Sequence, residues 1–596
     1  MAVENLITEH LDIWTSAIKT KSAAGRGSSK KLELVGVKKL RELILELAFC
    51  GKLVPNDINY CVHDDILNNM AAEKEHFHNK KNVRLQKFKT ITEKFELPPI
   101  PKSWKSVYFD EVITYITDFQ ANGSFSTLKQ NVTYYDEKNY ALLVRLTDLR
   151  HGLSDSRSFK YTDKKGFDFL SKSSIEGGEF VVANVGAGVG TTLEVPNIDM
   201  PATLAPNMFM IVLSKLIAKR YFLYYSQSPV YKRYIELVNA GTGQPKINKT
   251  EYKNCKLPLP STEEQHRIVA KVDELMALCD QLEAQTESSI DAHKTLVEVL
   301  LATLTDAKDA NELNDSWQRL SQHFDVLFTT QASIDQLKQT ILQLAVMGKL
   351  VKQDPKDEPA SKLLERIATE KQQLIKDGKI KKQKPLPSIT DEEKPFELPD
   401  GWEFSCLQDI TLLITDGKHG DCNNLENSGY FFLSAKDIKN GKLVYDNARQ
   451  IESSEFAEVH QRTNLEHGDI CMVNTGATVG KMAIVEDIQF TRKTTFQKSV
   501  AVIKVAKLNI NNRYAALFLQ SETRNFLKKS GGSAINNLLL GDLKKKITPV
   551  PPLIEQHRIV AKVDELMTLC DSLKANLRQA QITQLHLTDA IVEQTL

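Results

Sequence analysis

The sequence predicts an α+β (mixed) fold with a pseudo-twofold internal repeat, in which two α/β domains are separated by long helices forming an intramolecular coiled coil. Three observations predict it. Residues 264–280, EQHRIVAKVDELMALCD, return as residues 555–571 with one change in seventeen positions. Apolar residues within both segments step four and three apart, the spacing of a helix seam. Between the helical stretches the pattern changes to short, often β-branched apolar runs separated by Gly, Asn and Asp, which is strand-and-turn composition.

Four blocks recur in the same order. The first is a helix running from Val35 through Leu40, Ile44 and Leu47 to Gly51-Lys52-Leu53-Val54. Its partner runs from Ile334 through Leu337, Ile341 and Leu344 to Gly348-Lys349-Leu350-Val351. Glycine just past the last periodic residue marks a left-handed C-cap. Charged, helix-prone arms follow at 71–94 and 361–384.

The second block is an entry signal, Phe95-Glu96-Leu97-Pro98 with Trp104, matched by Phe396-Glu397-Leu398-Pro399 with Trp402. Strands are predicted beyond it at Ala141–Val144, 179–183 and 499–504, with helices inserted around 216–225 and 513–528. The third block is the run from Gly178 through Asn184, Gly186 and Gly188 to Gly190, aligned with Gly468 through Asn474 and Gly476 to Gly480. Asp148-Leu149 with Gly152 echoes more weakly as Asp437-Ile438 with Gly441.

The fourth block is a proline-marked exit, 257–260 and 549–552, leading into the near-identical helix. In the first copy the seam passes Ile268, Val272, Leu275, Cys279 and Leu282, weakens, and resumes at Leu296 and Leu300. In the second it continues from Ile559 past Cys570, Leu577 and Ala580 to Leu587 and Ile591. A helix of about 38 residues at about 1.5 Å per residue reaches roughly 55 to 60 Å.

At 596 residues the chain exceeds a single core, so several domains are expected. A hydrophobic content of 41% with 26% charged residues suits a soluble globular protein rather than a disordered one. The net charge of +1 leaves nucleic-acid binding to local basic surfaces. No apolar run reaches the eighteen residues of a membrane span, and the start MAVENLITEHLDIW lacks a basic stretch before an apolar one, so a cytoplasmic location is expected. Cys279 and Cys570 read as buried small hydrophobes, with no second Cys or His at zinc spacing.

The exit-and-helix element P-[LV]-P…EQHRIVAKVDEL, the GKLV helix ends, the two copies and the dissimilar parts between them resemble the DNA specificity subunit of type I restriction-modification systems. The resemblance covers essentially the whole chain. It implies a helical arm at 1–99, a target recognition domain at 100–257, a central helical region at 258–395, a second recognition domain at 396–551 and a closing helix at 552–596. It implies a bacterial or archaeal protein that reads one bipartite sequence on double-stranded DNA. Two methylation subunits and the restriction/translocase subunits are the implied protein partners. No cofactor is implied for this chain; S-adenosylmethionine, ATP and magnesium are expected in the partners. Matched rods would set the spacing between the two half-sites.

Candidate DNA-binding residues are polar groups in loops of the divergent domains. In the first copy they are Lys138, Asn139, Arg145, Thr147, Asn184, Gly186, Gln244 and Lys246. In the second they are Lys418, His419, Ser434, Lys436, Asn474, Lys481 and Asn536. Arg or Lys pairs with guanine and Asn or Gln with adenine, while any of them also suits a phosphate. The lysine runs at 379–384 and 544–546 fit a DNA backbone or plain hydration. Gly476 to Lys481 is one residue short of a phosphate loop and lacks its Ser/Thr, and Gly186-x-Gly188-x-Gly190 fails the dinucleotide spacing, so a tight turn is expected at both. Gln265-His266-Arg267 and Gln556-His557-Arg558 open long helices and read as caps or docking surfaces. With no methylase tetrad, phosphate loop or helicase box in view, the chain is expected to be non-catalytic. The alternatives are a coiled-coil protein-interaction scaffold with two variable domains and a self-sufficient DNA-modifying enzyme.

Overall fold

The computed structural model describes residues 3–21, 31–55, 64–85, 87–91, 95–150, 152–154, 158–239, 243–308, 310–530 and 537–596. Two compact units form: Met1–Ser289 with Ala580–Leu596, and Ile290–Gln579. Both long helices are present, Thr262–Asp306 with 45 residues and Leu553–Thr595 with 43, longer than the seam alone suggested.

Within each unit a short helix docks on the long ones through contacts that repeat residue for residue. In the first unit Val35–Phe49 buries Val37, Leu40, Ile44 and Leu47. Gly51 follows with φ +72°, and Lys52 N donates to Leu47 O at 2.9 Å, closing a Schellman-type end. In the second unit Gln331–Val346 ends in the same way, with Gly348 at φ +73° and Lys349 N donating to Leu344 O at 2.9 Å.

Arg41 binds Asp280 and Glu283 at 2.7 Å each, and Lys39 meets Asp589. At the matching places Lys338 binds Asp571 at 2.5 Å and Gln336 Nε2 donates to Glu298 at 2.8 Å. Lys52 Nζ donates to the Leu596 carbonyl, as Lys349 Nζ does to those of Thr305 and Ala307 at 2.6 and 2.8 Å. Exposed pairs contribute about 0 to 1 kcal/mol each, so they report register more than strength. The apolar seam does the holding: Ile268, Val272 and Leu275 in one copy, Ile559 and Val563 in the other, are at most 1% exposed. Cys279 and Cys570 lie in the same stripe at 1% and 2%, and burial pushes the Cys279 thiol up to about 11.

The far part of the seam differs from the heptad expectation. Leu296 is 50% exposed, Leu587 is 41% exposed and Ala580 is exposed, whereas Val297, Leu301, Leu304 and Thr588 are buried. A straight helix returns to the same face after five turns of 3.6 residues, or eighteen residues. That step carries Cys279 to Val297 and Cys570 to Thr588, so a strict seven-residue count lands one residue early.

Each unit contains a four-stranded antiparallel sheet of the same order. In the first unit its order is Ile113–Asp118, Met208–Leu213, Phe180–Ala183, Thr192–Glu194. In the second it is Thr411–Asp416, Val500–Val505, Ile470–Val473, Met482–Ile484. Phe180–Ala183 and Ile470–Val473 are buried at every position, which explains their unbroken apolar runs, and Val500–Val505 is equally buried but carries Lys504, paired with Asp469 at 2.5 Å. An antiparallel pair closes each domain, Lys105–Tyr108 with Lys256–Leu259 and Glu403–Cys406 with Ile547–Val550. A parallel pair also recurs, Ala141–Val144 with Ala202–Leu204 and Phe431–Leu433 with Thr494–Phe496. Two more strands extend it in the first unit, while in the second the helix Ser453–Thr463 packs beside it. Among the described residues no helix is long and apolar enough to cross a membrane.

Candidate nucleic-acid interface

The glycine run is a tight hairpin turn in both copies. Strand Phe180–Ala183 leaves through Asn184, and Gly190 N donates back to Ala183 O at 2.9 Å. Ile470–Val473 leaves through Asn474, and Gly480 N donates to Val473 O at 2.9 Å. Gly186 and Gly476 take φ of +99° and +107°, values a side chain resists, which is why both copies need glycine there.

Each turn is laced to the loop before the exit. Gly186 N donates to Pro245 O at 2.9 Å, Ile247 N donates to Asn184 O at 3.0 Å, and Val185 bridges Lys246. In the second copy Leu538 N donates to Asn474 O at 2.8 Å, Thr475 bridges Asn537, and Thr475 Oγ1 donates to Asn537 Oδ1 at 3.0 Å. Asn184, Gly186, Gln244 and Lys246 therefore share one surface, with Gln244 and Lys246 exposed. Asn474 takes the matching place, and Asn536 lies outside the described residues. The Oδ1 atoms of Asn184 and Asn474 are buried without a hydrogen-bond partner, an acceptor left open at the same point of both turns. Lys481 sits half-buried behind its turn, in a groove with Arg513 and Arg524.

A second group surrounds the parallel strands. Arg145 Nε and Nη2 donate to the buried Asp148 at 3.0 and 2.7 Å, and its Nη2 also reaches the Ser158 carbonyl. That carboxylate raises the Arg145 guanidinium above its ordinary value. Ser434 N and Oγ donate to Asp437 at 2.8 and 2.9 Å, so both aspartates pin the turn after a parallel strand. These bonds give Arg145 and Ser434 a positioning role that the bare sequence did not disclose.

Lys418 is bound to Glu455 and Glu458 at 3.5 and 3.4 Å. His419 Nε2 lies 2.9 Å from Asp416, which also holds Arg462. Lys138, Thr147 and Lys436 stay exposed, while Asn139 accepts from Tyr140 N at 2.7 Å. Among the described residues no group of three or more His, Cys, Asp or Glu could hold a metal ion.

The glutamine of each helix-opening triplet ties the start of the long helix to a neighbouring helix cap and to the proline exit. Gln265 Oε1 accepts from Ala218 N at 2.9 Å while its Nε2 donates to Pro260 O at 3.2 Å. Gln556 does the same with Asn511 N and Pro551 O at 2.8 and 3.0 Å. Arg220 with Asp273 and Arg513 with Asp564 form matching pairs nearby. Sequence reasoning missed Arg84, Lys87 and Lys89; the first two align with Lys381 and Lys384, so aligning the two charged arms would have found that pair.

One module used twice, with unlike polar loops held on like helices, defines a duplicated two-surface binding protein. Comparison with known proteins gives the particular family. The family model described as the type I restriction modification DNA specificity domain matches residues 101–292 and again 399–584. The chain is 37% identical over 609 residues to the type I restriction enzyme EcoAI specificity subunit of Escherichia coli, covering 100% of this chain and 99% of that one. It is also 37% identical over 632 residues to the EcoEI specificity subunit of Escherichia coli, with 100% of both covered. A crystal structure of the HsdS subunit from Thermoanaerobacter tengcongensis matches with TM-score 0.37 and 16% identity over 83% of this chain and 97% of that one. The chain belongs to the type I restriction-modification DNA specificity family.

Proposed function

We propose that this chain reads one bipartite sequence on double-stranded DNA, the domain at 100–257 contacting one half-site and that at 396–551 the other. The parts at 1–99, 258–395 and 552–596 form the frame on which two methylation subunits dock, joined by restriction/translocase subunits. Adenine methylation requires the base to leave the stack, and that pocket belongs to the methylation partner. S-adenosylmethionine, ATP and magnesium serve those partners, in the cytoplasm of a bacterium or archaeon.

One observation carries the reading: tethers that match residue for residue hold polar surfaces that do not match. Identical surfaces on such a frame would read a palindrome, whereas unlike ones read an asymmetric target. Each mismatched pair costs about 1 to 3 kcal/mol, so a few pairs per side discriminate strongly once both sides engage one duplex. The residues proposed to face DNA are Asn184, Gly186, Gln244, Lys246 and Asn474 at the turns, with Lys138, Asn139, Thr147, His419, Lys436 and Lys481 around them. Arg145, Ser434 and Lys418 shape the loops from which these project. The length of the long helices is proposed to fix the unread spacer.

The test is single-molecule sequencing of methylated adenines in a host carrying the complete system. The expected result is one asymmetric motif split by a fixed gap, lost when this chain is deleted. A continuous palindrome, or methylation that survives the deletion, contradicts the proposal.

A further inference from the structure

A cleft far from the glycine turn in sequence gathers positive charge in the first unit. Its walls are the helix Asp64–Lys80, the strap formed by residues 83–85 and 87–89, and the edge strand Ile113–Asp118. Three of its lysines face carboxylates: Lys74 and Lys253 share Asp110 at 2.9 Å each, and Lys249 pairs with Asp118 at 3.0 Å. Arg84, Lys87, Lys89 and Lys172 also line it, all exposed and all without an acidic partner among the described residues. The lining also includes Thr114 and Thr117, which are 3% and 2% exposed and whose hydroxyls lack any hydrogen-bond partner. The whole chain carries a formal charge of only +1, so this concentration of charge is local.

The strap is held rather than loose. Asn254, 5% exposed, donates from Nδ2 to Lys89 O at 2.9 Å and accepts at Oδ1 from Ile91 N at 3.0 Å. Phe88 packs on Tyr108 with ring centroids 5.1 Å apart. The second unit repeats the device with different residues. There Gln408, 6% exposed, donates from Nε2 to Lys384 O at 3.0 Å and from its backbone N to Lys544 O at 3.0 Å. Gln383 Nε2 reaches Leu412 O at 3.5 Å. Lys381, Lys382 and Lys384 project from this strap, exposed and without acidic partners among the described residues.

We infer that the two straps are phosphate-backbone grips, binding DNA through charge without reading its sequence; the inference rests on the DNA-reading function proposed above. Three features carry it together. The backbone of each strap is fixed by a buried amide, so its cations are presented at little further ordering cost. Positive charge is kept where the residue changes, as Arg84 against Lys381 shows, and each strap presents three cations, which suits a task indifferent to side-chain identity. In the first unit exposed Lys172 stands in the same cleft as the strap's Arg84, Lys87 and Lys89, so four cations line one surface of the kind that phosphates bind.

The experiment measures duplex affinity against salt for the full-length chain assembled with its partner subunits. R84Q/K87Q/K89Q and K381Q/K382Q/K384Q are compared with wild type, and R84K/K87R/K89R serves as the charge-preserving control. About 0.9 of slope in log K against log salt is lost per phosphate contact removed, so each glutamine triple is expected to flatten the slope by about two to three. Target and non-target duplexes should weaken by the same factor, and the control should keep the wild-type slope. An unchanged slope in both triples, or a loss confined to the target duplex, overturns the inference. So does loss of partner subunits with the slope intact, which would make the straps docking sites for an acidic protein. If wild type itself prefers no duplex, the functional reading fails and this inference with it; if wild type is selective and the triples match it, only the straps are misassigned.

Discussion

The helical frame and the loops it carries follow opposite rules in this chain. In the frame both partners of a contact repeat: Arg41 with Asp280 against Lys338 with Asp571, and Gln265 with Ala218 against Gln556 with Asn511. Around the parallel strands almost nothing repeats beyond the strands and the aspartate that pins their turn. One copy adds two strands there and the other a helix. A contact between two elements survives duplication only if both sides stay compatible, so the frame accepts only changes that keep the contact, as Arg41 and Lys338 do against equivalent aspartates. A loop facing a ligand has its other half outside the chain, and each copy is free to drift toward its own ligand.

The largest effect should come from the frame. Ile268→Ala and Ile559→Ala each remove a fully buried branched side chain and are expected to destabilise by about 3 kcal/mol. Urea denaturation followed by circular dichroism should show losses within about 1 kcal/mol of each other by the same rule. A large inequality would break the claim that the two frames are equivalent.

A somewhat smaller effect should fall on one copy alone. Asp110 is paired with Lys74 and Lys253, and its counterpart is the neutral Gln408. Burial pushes the Asp110 carboxyl up, but the two lysines outweigh it and hold the carboxyl below its ordinary range. Asp110→Asn is expected to cost about 2 to 3 kcal/mol at neutral pH. Because the folded value is lowered, that stability is complete above the unfolded carboxylate pKa near about 4 and fades as pH falls through the lowered value. Melting curves of wild type and variant should therefore converge in acid and stay apart at pH 7; parallel curves throughout would deny the ion pairs their role.

Next come the turns. Gly476→Ala meets open space and Gly186→Ala only Gln244 Nε2 at 4.0 Å, but both have an unfavourable φ, so each should cost about 1 to 3 kcal/mol in thermal melts. A change in only one of them would show that the two turns are not the same device. The smallest effect on stability, below about 0.5 kcal/mol, is expected for Gln244→Ala on the exposed loop. Binding to a panel of singly mismatched duplexes should lose about 1 to 3 kcal/mol of discrimination in one half-site only. Loss spread over both halves would remove Gln244 from the reading surface.

Much of this was legible in the residues. The duplication, the helix ends at Gly51 and Gly348, the strand Ala141–Val144 and the glycine turns all follow from local pattern, because periodicity and positive-φ glycine are written in neighbouring residues. The far seam was misplaced because a seven-residue count accumulates error over five turns, which Leu296 and Leu587 display. Arg145 and Ser434 looked free because their aspartate partners become partners only once a turn folds them together, although both stand three residues from their aspartate. The straps went unread as a pair because their anchors, Asn254 and Gln408, are far away in sequence.

The most direct test exchanges residues 101–257 for the corresponding segment of a relative with a different target, leaves the rest untouched, and maps methylated adenines in a host supplying the partner subunits. One half of the motif should change, while the other half and the gap between them stay as before. A motif altered in both halves, or in neither, would contradict the account of two independent readers on one duplicated frame.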